Sequence, residues 1–347
     1  MRTLRRTLLL SIGLAFAGLA PAWKASAQSN PVPAKITIFV GYSVTSGIGY
    51  DTYGRVLSQF LGKYVPGNPT ITVSNRPGAG SMTLANYIAN VGPKDGSEIA
   101  LIGRGVAMDR LVYGDKSAAR FDATKLNWLG SMNNEVSGFY ISDTAPVKSL
   151  KEVLAGKELN VGSAGAASDL TAFALVMNSI LGARLKIIDG YPGTTEILLA
   201  LERGEVDGLV GYSWGAARTG SASLLKSGKL NVVLQLALKK HPELEHIPLI
   251  MDMVKAEDER QVLELIFARQ TMGRPFVAPP GTPPETVKVL RSAFTSAMKD
   301  PDLIATAQKM SLEIDYTSGE DVQELVERLH KFPPKVIQRT QEIILSK

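Results

Sequence analysis

Short β-rich runs alternate with helical patterns along the chain, and this order limits the fold more than any other feature of the sequence. β-rich runs lie at residues 36–40, 70–73 and 98–102. Between them, apolar side chains recur at helical spacing at residues 53–61 and 81–89. Strands separated by helices in this way form right-handed crossovers. We therefore expect an α/β fold with mainly parallel sheets flanked by helices.

The same alternation restarts after residue 135 and predicts a second α/β unit. Its expected strands lie at residues 136–141, 159–162, 185–188, 206–210 and 230–236, and its main helices at residues 169–181 and 196–203. A capping box formed by Ser149 and Glu152 opens a further helix. The β-rich run at residues 274–280 indicates a strand that returns the chain to the first unit.

These patterns divide the chain of 347 residues into two expected lobes, which agrees with the usual size of a domain. We predict that residues 28–135 and 251–347 form the first lobe and that residues 136–250 form the second. Apolar stripes at residues 287–298 and 322–329 predict helices that face the core. The sequence contains no flexible linker between the lobes, so short crossover strands are expected to join them.

The first 27 residues have the three regions of a secretory signal peptide. Arginines at positions 2, 5 and 6 precede an apolar run at residues 8–19, and small residues follow up to Ala27. The run is shorter than the roughly 20 residues that a membrane span needs. We therefore predict export to the periplasm with cleavage near Ala27, the alternative being a buried N-terminal helix. The pair Arg5-Arg6 is too weak a twin-arginine match to choose between export routes.

Composition and charge exclude several classes of protein. The chain has no cysteine, which excludes disulfides, thiolate metal sites, cysteine nucleophiles and a lipid-modified N-terminal cysteine. Its net charge is +5, but the predicted signal peptide holds four basic residues and no acidic one. Of the 38 basic residues, 34 therefore remain beside all 33 acidic residues, a net charge of +1. A nearly neutral protein gives no reason to expect nucleic acid as a partner.

The enzymatic signatures in the sequence are incomplete. Residues 78–83 resemble a dinucleotide fingerprint, but Thr83 stands where that motif needs Gly or Ala. Residues 162–165 resemble a nucleophile elbow around Ser163, but Val161 replaces its first glycine. The three histidines lie in a Pro-rich turn or on a surface-type helix, and no spacing predicts a metal site. We expect no enzyme and no cofactor; a periplasmic serine hydrolase that uses Ser163 remains a remote alternative.

Six loops rich in Gly, Ser and Thr lie at the carboxyl ends of predicted strands. They span residues 43–50, 75–81, 103–105, 163–168, 191–195 and 212–214. Ligands of open α/β sheets bind at these ends, where helix N-termini present unpaired N–H groups to anions. Any one of these loops is better explained as an ordinary turn. Six of them with almost no acidic residue together indicate a cleft for a carboxylate.

Several segments resemble, in the same order, motifs of the receptor component of tripartite tricarboxylate transporters, also called the Bug family of periplasmic solute-binding proteins. They are residues 73–80 (VSNRPGAG), 93–96 (PKDG), 191–194 (YPGT), 204–207 (GEVD) and 278–285 (APPGTPPE). The resemblance covers essentially the whole chain after the signal peptide. Because several motifs occur in the order that the family has, together they are more specific than any one motif.

This resemblance implies a two-lobed periplasmic binding fold, type II-like, with a ligand cleft between the lobes. It implies that the protein captures a small organic acid, a di- or tricarboxylate or a related carboxylate, and hands it to large and small membrane subunits. The ligand-binding residues that it implies are Ser43, Thr45, Ser46, Gly47, Gly49, Tyr50, Ser163, Ala164, Gly165, Ala166, Ser168, Gly193 and Thr194. We expect a monomer that does not span the membrane. A sensor module that docks on a signalling receptor remains the alternative.

Six further residues near the predicted strand ends are possible cleft residues: Asn75, Arg76, Arg104, Tyr212, Trp214 and Arg218. Asn75 and Arg76 are equally consistent with bracing the turn that shapes the cleft. Arg104, Arg218 and Arg274 could each bind a carboxylate through two N–H groups, although arginines at such positions are more often salt-bridge partners. Tyr212 and Trp214 are as consistent with core packing as with a wall for the ligand.

Three departures from the family pattern leave the identity of the acid open. The family's P-G-G after the first strand is missing, and residues 41–51 read GYSVTSGIGYD, with Asp51 at the family's acidic position and Tyr50 new. Pro192 stands where the family often has Lys. Residues 252–270 form a longer segment than the family has, and they predict an extra helix.

Overall fold

A computed structural model gives the structure of the protein and describes residues 31–43, 49–165, 168–191 and 193–346. The predicted signal peptide and its cleavage site lie outside these residues. Within the described ranges, no helix combines the length and the hydropathy needed to cross a membrane.

The strands and helices alternate over most of the described chain. In chain order the strands are β1 (Lys35–Val40), β2 (Thr70–Asn75), β3 (Glu98–Leu101), β4 (Asn127–Ser131), β5 (Ser137–Ser142), β6 (Glu158–Gly162), β7 (Arg184–Ile188), β8 (Gly208–Ser213), β9 (Leu230–Leu236), β10 (Pro275–Ala278) and β11 (Thr317–Ser318). The helices are α1 (Tyr50–Tyr64), α2 (Met82–Asn90), α3 (Asp109–Tyr113), α4 (Leu150–Leu154), α5 (Asp169–Leu181), α6 (Thr194–Glu202), α7 (Trp214–Gly220), α8 (Ala222–Lys226), α9 (Ile250–Met253), α10 (Glu257–Thr271), α11 (Pro284–Met298), α12 (Pro301–Lys309), α13 (Gly319–Leu329) and α14 (Pro334–Leu345). The order confirms the predicted α/β class.

The strands form two separate sheets. The first sheet has the order β11-β4-β10-β3-β1-β2, and the second has the order β7-β6-β8-β5-β9. β1 runs parallel to β2 and β3, and β6 runs parallel to β7 and β8. The first sheet draws on residues before 132 and after 274, and the second on residues 137–236. The lobe boundaries proposed at residues 135 and 250 stay a prediction.

Both sheets are mixed, whereas the sequence pattern predicted mainly parallel sheets. β10 is antiparallel to β3 and β4, and β5 is antiparallel to β8 and β9. Parallel neighbours need a crossover within one sheet. β5 follows β4 of the other sheet directly, and β10 re-enters the first sheet after α10, so no such crossover fixes their direction. The predicted return of the chain at residues 274–280 is confirmed by the position of β10 between β3 and β4.

Local sequence signals explain where the main elements begin and face. β1 buries every second side chain, Ile36, Ile38 and Val40, and these pack in one cluster with residues of α1. The predicted helix at residues 169–181 is confirmed as α5. Ser168 caps it by accepting the N–H of Leu170, and the helix ends at Gly182 in the left-handed conformation. These caps fix the position of its first residue, Asp169.

β4 is a strand that the sequence patterns do not predict. Its segment, Asn-Trp-Leu-Gly-Ser, is short and contains Gly and Asn, which are rare in strands. The strand forms because Trp128 is fully buried in the core and because β10 and β11 pair with it on either side. Tertiary pairing therefore outweighs local propensity at this position.

Gly208 begins β8 where this strand lies closest to β5, and its replacement by alanine is expected to destabilise the protein. A Cβ atom at this position would lie 2.4 Å from the carbonyl oxygen of Tyr140. Overpacking of this kind costs about 1–3 kcal/mol in the free energy of unfolding. Urea unfolding measures the loss, with Gly220→Ala as the control, because a Cβ there meets its nearest atom at 3.8 Å. Equal midpoints for the two variants would contradict the prediction.

Candidate ligand cleft

Among the cavities of the described residues, two share an ion pair between Glu135 and Arg274 in their lining. The Tyr50 cavity has a volume of about 560 Å³ and is lined by residues that follow β1 and β3 and by Asp169 of α5. The Trp214 cavity has a volume of about 500 Å³ and is lined by Tyr53 of α1, by Thr195 of α6 and by residues 212–216 and 218–220. Glu135 and Arg274 line both cavities. We call the two cavities together the cleft.

Tyrosine rings and a guanidinium group form one wall of the cleft. The rings of Tyr42 and Tyr50 are stacked with their centroids 4.2 Å apart. The guanidinium of Arg274 lies over the rings of Tyr50 and Tyr53, at 4.5 Å and 4.8 Å from their centroids. Burial raises the pKa of both Tyr42 and Tyr53, so these phenols stay protonated at neutral pH. The wall is therefore flat, aromatic and cationic at one point.

Ion pairs between residues that are far apart in the sequence line the Tyr50 cavity. Arg104 donates to the carboxylates of Glu135 and Asp169, and it also donates to the side-chain oxygen of Gln270 at 2.8 Å. Asp169 accepts a second guanidinium, that of Arg269, at 2.6 Å. Burial alone would raise the pKa of Asp169, but the two guanidinium groups outweigh it and hold this pKa at about 2. Asp169 is therefore ionised throughout the physiological range.

The last turn of α10 supplies two of these residues. Arg269 and Gln270 are 6% and 1% exposed, although both are polar. Gln270 donates to the hydroxyl of Ser137 at 2.7 Å and to the carbonyl of Leu236, which ties α10 to the second sheet. The helix predicted within residues 252–270 is confirmed as α10. It thus contributes directly to the cleft.

Three of the ligand residues predicted in the first lobe, Ser43, Gly49 and Tyr50, are described by the structure, and the last two form the start of α1. Ser43 is exposed, Gly49 is the N-cap of α1, and Tyr50 lines the Tyr50 cavity. Thr45, Ser46 and Gly47 lie outside the described residues. The ring of Tyr50 is held by Tyr42 and Arg274, and its hydroxyl accepts the backbone N–H of Arg104 at 3.1 Å.

The predicted ligand residues after β6 have different surroundings from one another. Ser163 is 1% exposed, and its hydroxyl pairs with that of Thr171 and accepts the N–H of Gly165. These bonds brace the loop, and among the described residues no histidine contacts Ser163. Ala164 is exposed and Gly165 half-buried, while Ala166 lies outside the described residues. Ser168 uses its hydroxyl as the N-cap of α5.

The predicted residues before α6 also form a helix start. Gly193 is the N-cap of α6, and Thr194 is its first residue. Gly193 has no side chain that could cap the helix, so no capping side chain accepts the N–H groups in the first turn of α6. Thr195, the next residue, lines the Trp214 cavity.

Asn75 and Arg76, which the sequence left between ligand binding and bracing, have the contacts of bracing residues. The side-chain amide of Asn75 donates to the carbonyl of Tyr42 at 2.8 Å and to Asp51 at 2.7 Å. Burial acts to raise the pKa of Asp51, but hydrogen bonds from Arg55 and Asn75 lower it overall. Arg76 stacks on the ring of Tyr87, 3.7 Å from its centroid.

The other possible cleft residues line the cavities but already have partners. Tyr212, Trp214 and Arg218 line the Trp214 cavity. The indole N–H of Trp214 and the guanidinium of Arg218 both donate to Glu243, each at 2.8 Å. Arg104 lines the Tyr50 cavity with the partners described above. Arg104 and Arg218 are therefore already paired with carboxylates of the protein itself.

Sequence reasoning missed the acidic residues of the cleft. The six loops themselves contain almost no acidic residue, which favoured a carboxylate as the ligand, but acidic side chains from outside these loops also line the cleft. Glu135 lies two positions before the strand β5, directly before the strand predicted at residues 136–141, and Asp169 directly follows the loop at residues 163–168. Neither carboxylate belongs to the six loops, yet both line the cleft. The signal that could have found them was an acidic residue within one position of a predicted strand or loop end.

One family model matches most of the chain, and several solved structures share its fold. A family model described as the tripartite tricarboxylate transporter family receptor matches residues 55–341. A TctC solute-binding protein from Polaromonas superposes with a TM-score of 0.70 at 19% sequence identity, covering 90% of this chain and 98% of that one. MatC from Rhodopseudomonas palustris, solved with bound malate, has a TM-score of 0.59 at 19% identity, covering 90% and 99%.

A third solved structure shows the same fold. A protein of R. palustris with adipate has a TM-score of 0.60 at 20% identity, covering 88% of this chain and 97% of that one. No curated protein sequence matches the chain significantly. At these identities the structural matches establish the two-sheet periplasmic binding fold, which confirms the fold class expected from the sequence.

Proposed function

The chain belongs to the tripartite tricarboxylate transporter receptor family, whose members are periplasmic solute-binding receptors, and from this premise we propose that its cleft captures a small organic acid. The protein then delivers this acid to the large and small membrane subunits of a tripartite transporter. It acts by binding and release and has no enzymatic activity of its own. Residues 1–27 direct its export and are removed near Ala27, which leaves a monomer in the periplasm.

The observation that carries this proposal is the state of Arg274. Its side chain is 11% exposed, lines both cavities and lies over two tyrosine rings. It pairs with Glu135 at 3.0 Å, but its Nε–H has no acceptor among the described residues. A buried donor without an acceptor costs about 1–3 kcal/mol. A carboxylate of the ligand is the acceptor that fits a guanidinium best.

Two further features support an acidic ligand. Helices α1 and α6 begin beside the cleft with Gly49 and Gly193 as N-caps, so no capping side chain closes either N-terminus. Helix N-termini favour anions. Two structural neighbours are solved with the carboxylates adipate and malate. These features favour the predicted ligand residues at the starts of α1 and α6, namely Gly49, Tyr50, Gly193 and Thr194, as contacts of the acid.

A thermal-shift screen of residues 28–347 tests the proposal. We expect an organic acid from a panel of mono-, di- and tricarboxylates, aromatic acids and acidic amino acids to raise the Tm by a few degrees. A ligand at a hundred times its Kd stabilises the folded state by about 2.7 kcal/mol. Calorimetry then gives the Kd, with glucose and a divalent cation as controls. A shift with either control and with none of the acids would show that the ligand class is wrong.

A further inference from the structure

We infer that the cleft selects an acid with a single carboxylate on an aromatic or apolar body, because the chain's own Asp169 already occupies its strongest anion site. This inference rests on the proposed function and narrows the ligand class within it. It sets this protein apart from the neighbours solved with the dicarboxylates adipate and malate.

The first step is the nature of the site that Asp169 fills. Its carboxylate receives guanidinium groups from both sides, one from Arg104 and one from Arg269 at 2.6 Å. It also lies in the first turn of α5, a helix of 13 residues whose N-terminus favours negative charge. Two guanidinium groups and a helix N-terminus are the elements that would hold a ligand carboxylate. In this protein a side chain supplies that carboxylate.

The second step is the charge that remains for a ligand. Three arginines line the Tyr50 cavity, and three acidic residues line it with them: Arg104, Arg269, Arg274, Asp109, Glu135 and Asp169. Around the Trp214 cavity, Arg218 is paired with Glu243, and His241 with Glu313. The sequence at positions 44–48, 166–167 and 192 contains no ionisable side chain. The charges that line the cleft therefore already balance, so a ligand carboxylate depends on the donors that the protein leaves unpaired.

An additional carboxylate would bind at a high cost. It would either enter the cleft without a cation, which costs several kcal/mol for a desolvated charge, or displace Asp169 from its two arginines. Displacement would leave Asp169 as the uncompensated charge. Either route weakens the binding of a dicarboxylate relative to the monocarboxylate of the same body.

The third step is what the cleft still offers. Arg274 and Arg269 each have a buried Nε–H without an acceptor among the described residues, and both line the Tyr50 cavity. The two oxygens of one carboxylate can accept two such donors, so these donors provide for one carboxylate. Beside Arg274 lie the stacked rings of Tyr42 and Tyr50 and the apolar side chains of Met82, Val106 and Val112. Flat aromatic surfaces bind aromatic or planar apolar groups. One carboxylate on such a body matches these features.

Calorimetry with matched pairs of acids tests the inference on the unaltered protein. The pairs are benzoate with terephthalate and hexanoate with adipate, which differ by one carboxylate on a similar body. We expect each monocarboxylate to bind at least about tenfold more tightly than its partner. Tighter binding of the dicarboxylates would overturn the inference and leave the proposed function standing. Binding of no carboxylate in the wider panel would overturn the proposed function itself.

A variant pair tests the role of Asp169 in this preference. Asp169→Asn removes the internal carboxylate and makes Arg104 and Arg269 available to the ligand. We expect the ratio of dicarboxylate to monocarboxylate affinity to rise at least about tenfold. The control is Asp109→Asn, because Asp109 lines the same cavity but bonds to the hydroxyl of Ser117. Equal changes in both variants would overturn the role assigned to Asp169. Circular dichroism verifies that both variants fold. If Asp169→Asn does not fold, the matched acids on the unaltered protein test the preference for one carboxylate.

Discussion

Replacing Asp169 with alanine is expected to lower the free energy of unfolding by about 3–5 kcal/mol. The change leaves the guanidinium groups of Arg104 and Arg269 without the acceptor that they share, and both arginines are largely buried. Arg104 keeps Glu135 and Gln270 as acceptors, so the charge left uncompensated is that of Arg269. Breaking a buried ion pair from one side costs about this much for that reason. Urea unfolding at neutral pH measures the loss.

The matched control for this change is Glu205→Ala. Glu205 pairs with Arg203 at 2.6 Å, but both side chains are about half exposed. Exposed pairs of this kind contribute less than about 1 kcal/mol. A loss for Asp169→Ala as small as that of the control would show that the ion pairs of Asp169 contribute little to the folded state.

The same residue is expected to make part of the stability depend on acid pH. The pKa of Asp169 falls from its ordinary value of 3.8 to about 2 in the folded protein. A lowered folded-state pKa gives stability that is complete above the ordinary value and is lost as the pH falls towards 2. The difference corresponds to about 2 kcal/mol. This is less than the effect of Asp169→Ala, because protonation leaves a hydrogen-bonding group in place and alanine does not.

Asp300 titrates in the same window, since hydrogen bonds from Lys63 and Tyr64 hold its pKa at about 2. The wild-type curve of stability against pH therefore contains both groups. Subtracting the curve of Asp169→Ala isolates the part that belongs to Asp169. A difference between the two curves that stays constant between pH 5 and pH 2 would contradict the lowered pKa.

Replacing Arg274 with alanine is expected to weaken the binding of the acid found in the screen by at least about 100-fold. The change removes the guanidinium with the spare N–H donor and also the contact that holds Tyr50 and Tyr53 in position. Loss of one partner of a buried, charged hydrogen bond costs about 2–5 kcal/mol, and 1.4 kcal/mol corresponds to a factor of ten. Calorimetry measures the change in Kd.

Two further variants separate charge from geometry. Arg274→Lys keeps the charge but has no planar fork, so we expect an affinity between those of the wild type and of Arg274→Ala. Arg76→Ala removes an arginine that stacks on Tyr87 and does not line either cavity, and its affinity should stay within about twofold of the wild type. Wild-type affinity in Arg274→Ala would remove this residue from the binding site and with it the main support for the proposed function.

The fold was largely predictable from the sequence. The period of the apolar residues predicted α1, α5 and α13, and Ser149, Ser168 and Gly182 mark helix ends as expected for capping residues. The mixed direction of the strands was not predictable, because nothing in the segments of β5 or β10 indicates which neighbours they pair with. β4 was missed for the same reason, since its burial depends on β10 and β11.

The position of the candidate site could be predicted from the sequence, but the ion pairs that line it could not. Described residues from five of the six strand-end loops line the cleft, and Tyr50, Arg104, Tyr212, Trp214 and Arg218 are among the residues that line it. Their partners were not predictable, because Arg104 and Asp169 are 65 positions apart and Asp169 and Arg269 are 100 positions apart.

The sequence by itself determined the α/β class, the family, the predicted export segment and the ends of most helices. These properties depend on neighbouring residues, through side-chain period, capping and motif order. The tertiary structure alone decided that three arginines and two carboxylates meet in one cleft. Charges neutralise each other only across short distances in space, and the packing that brings the end of α10 to the start of α5 sets those distances.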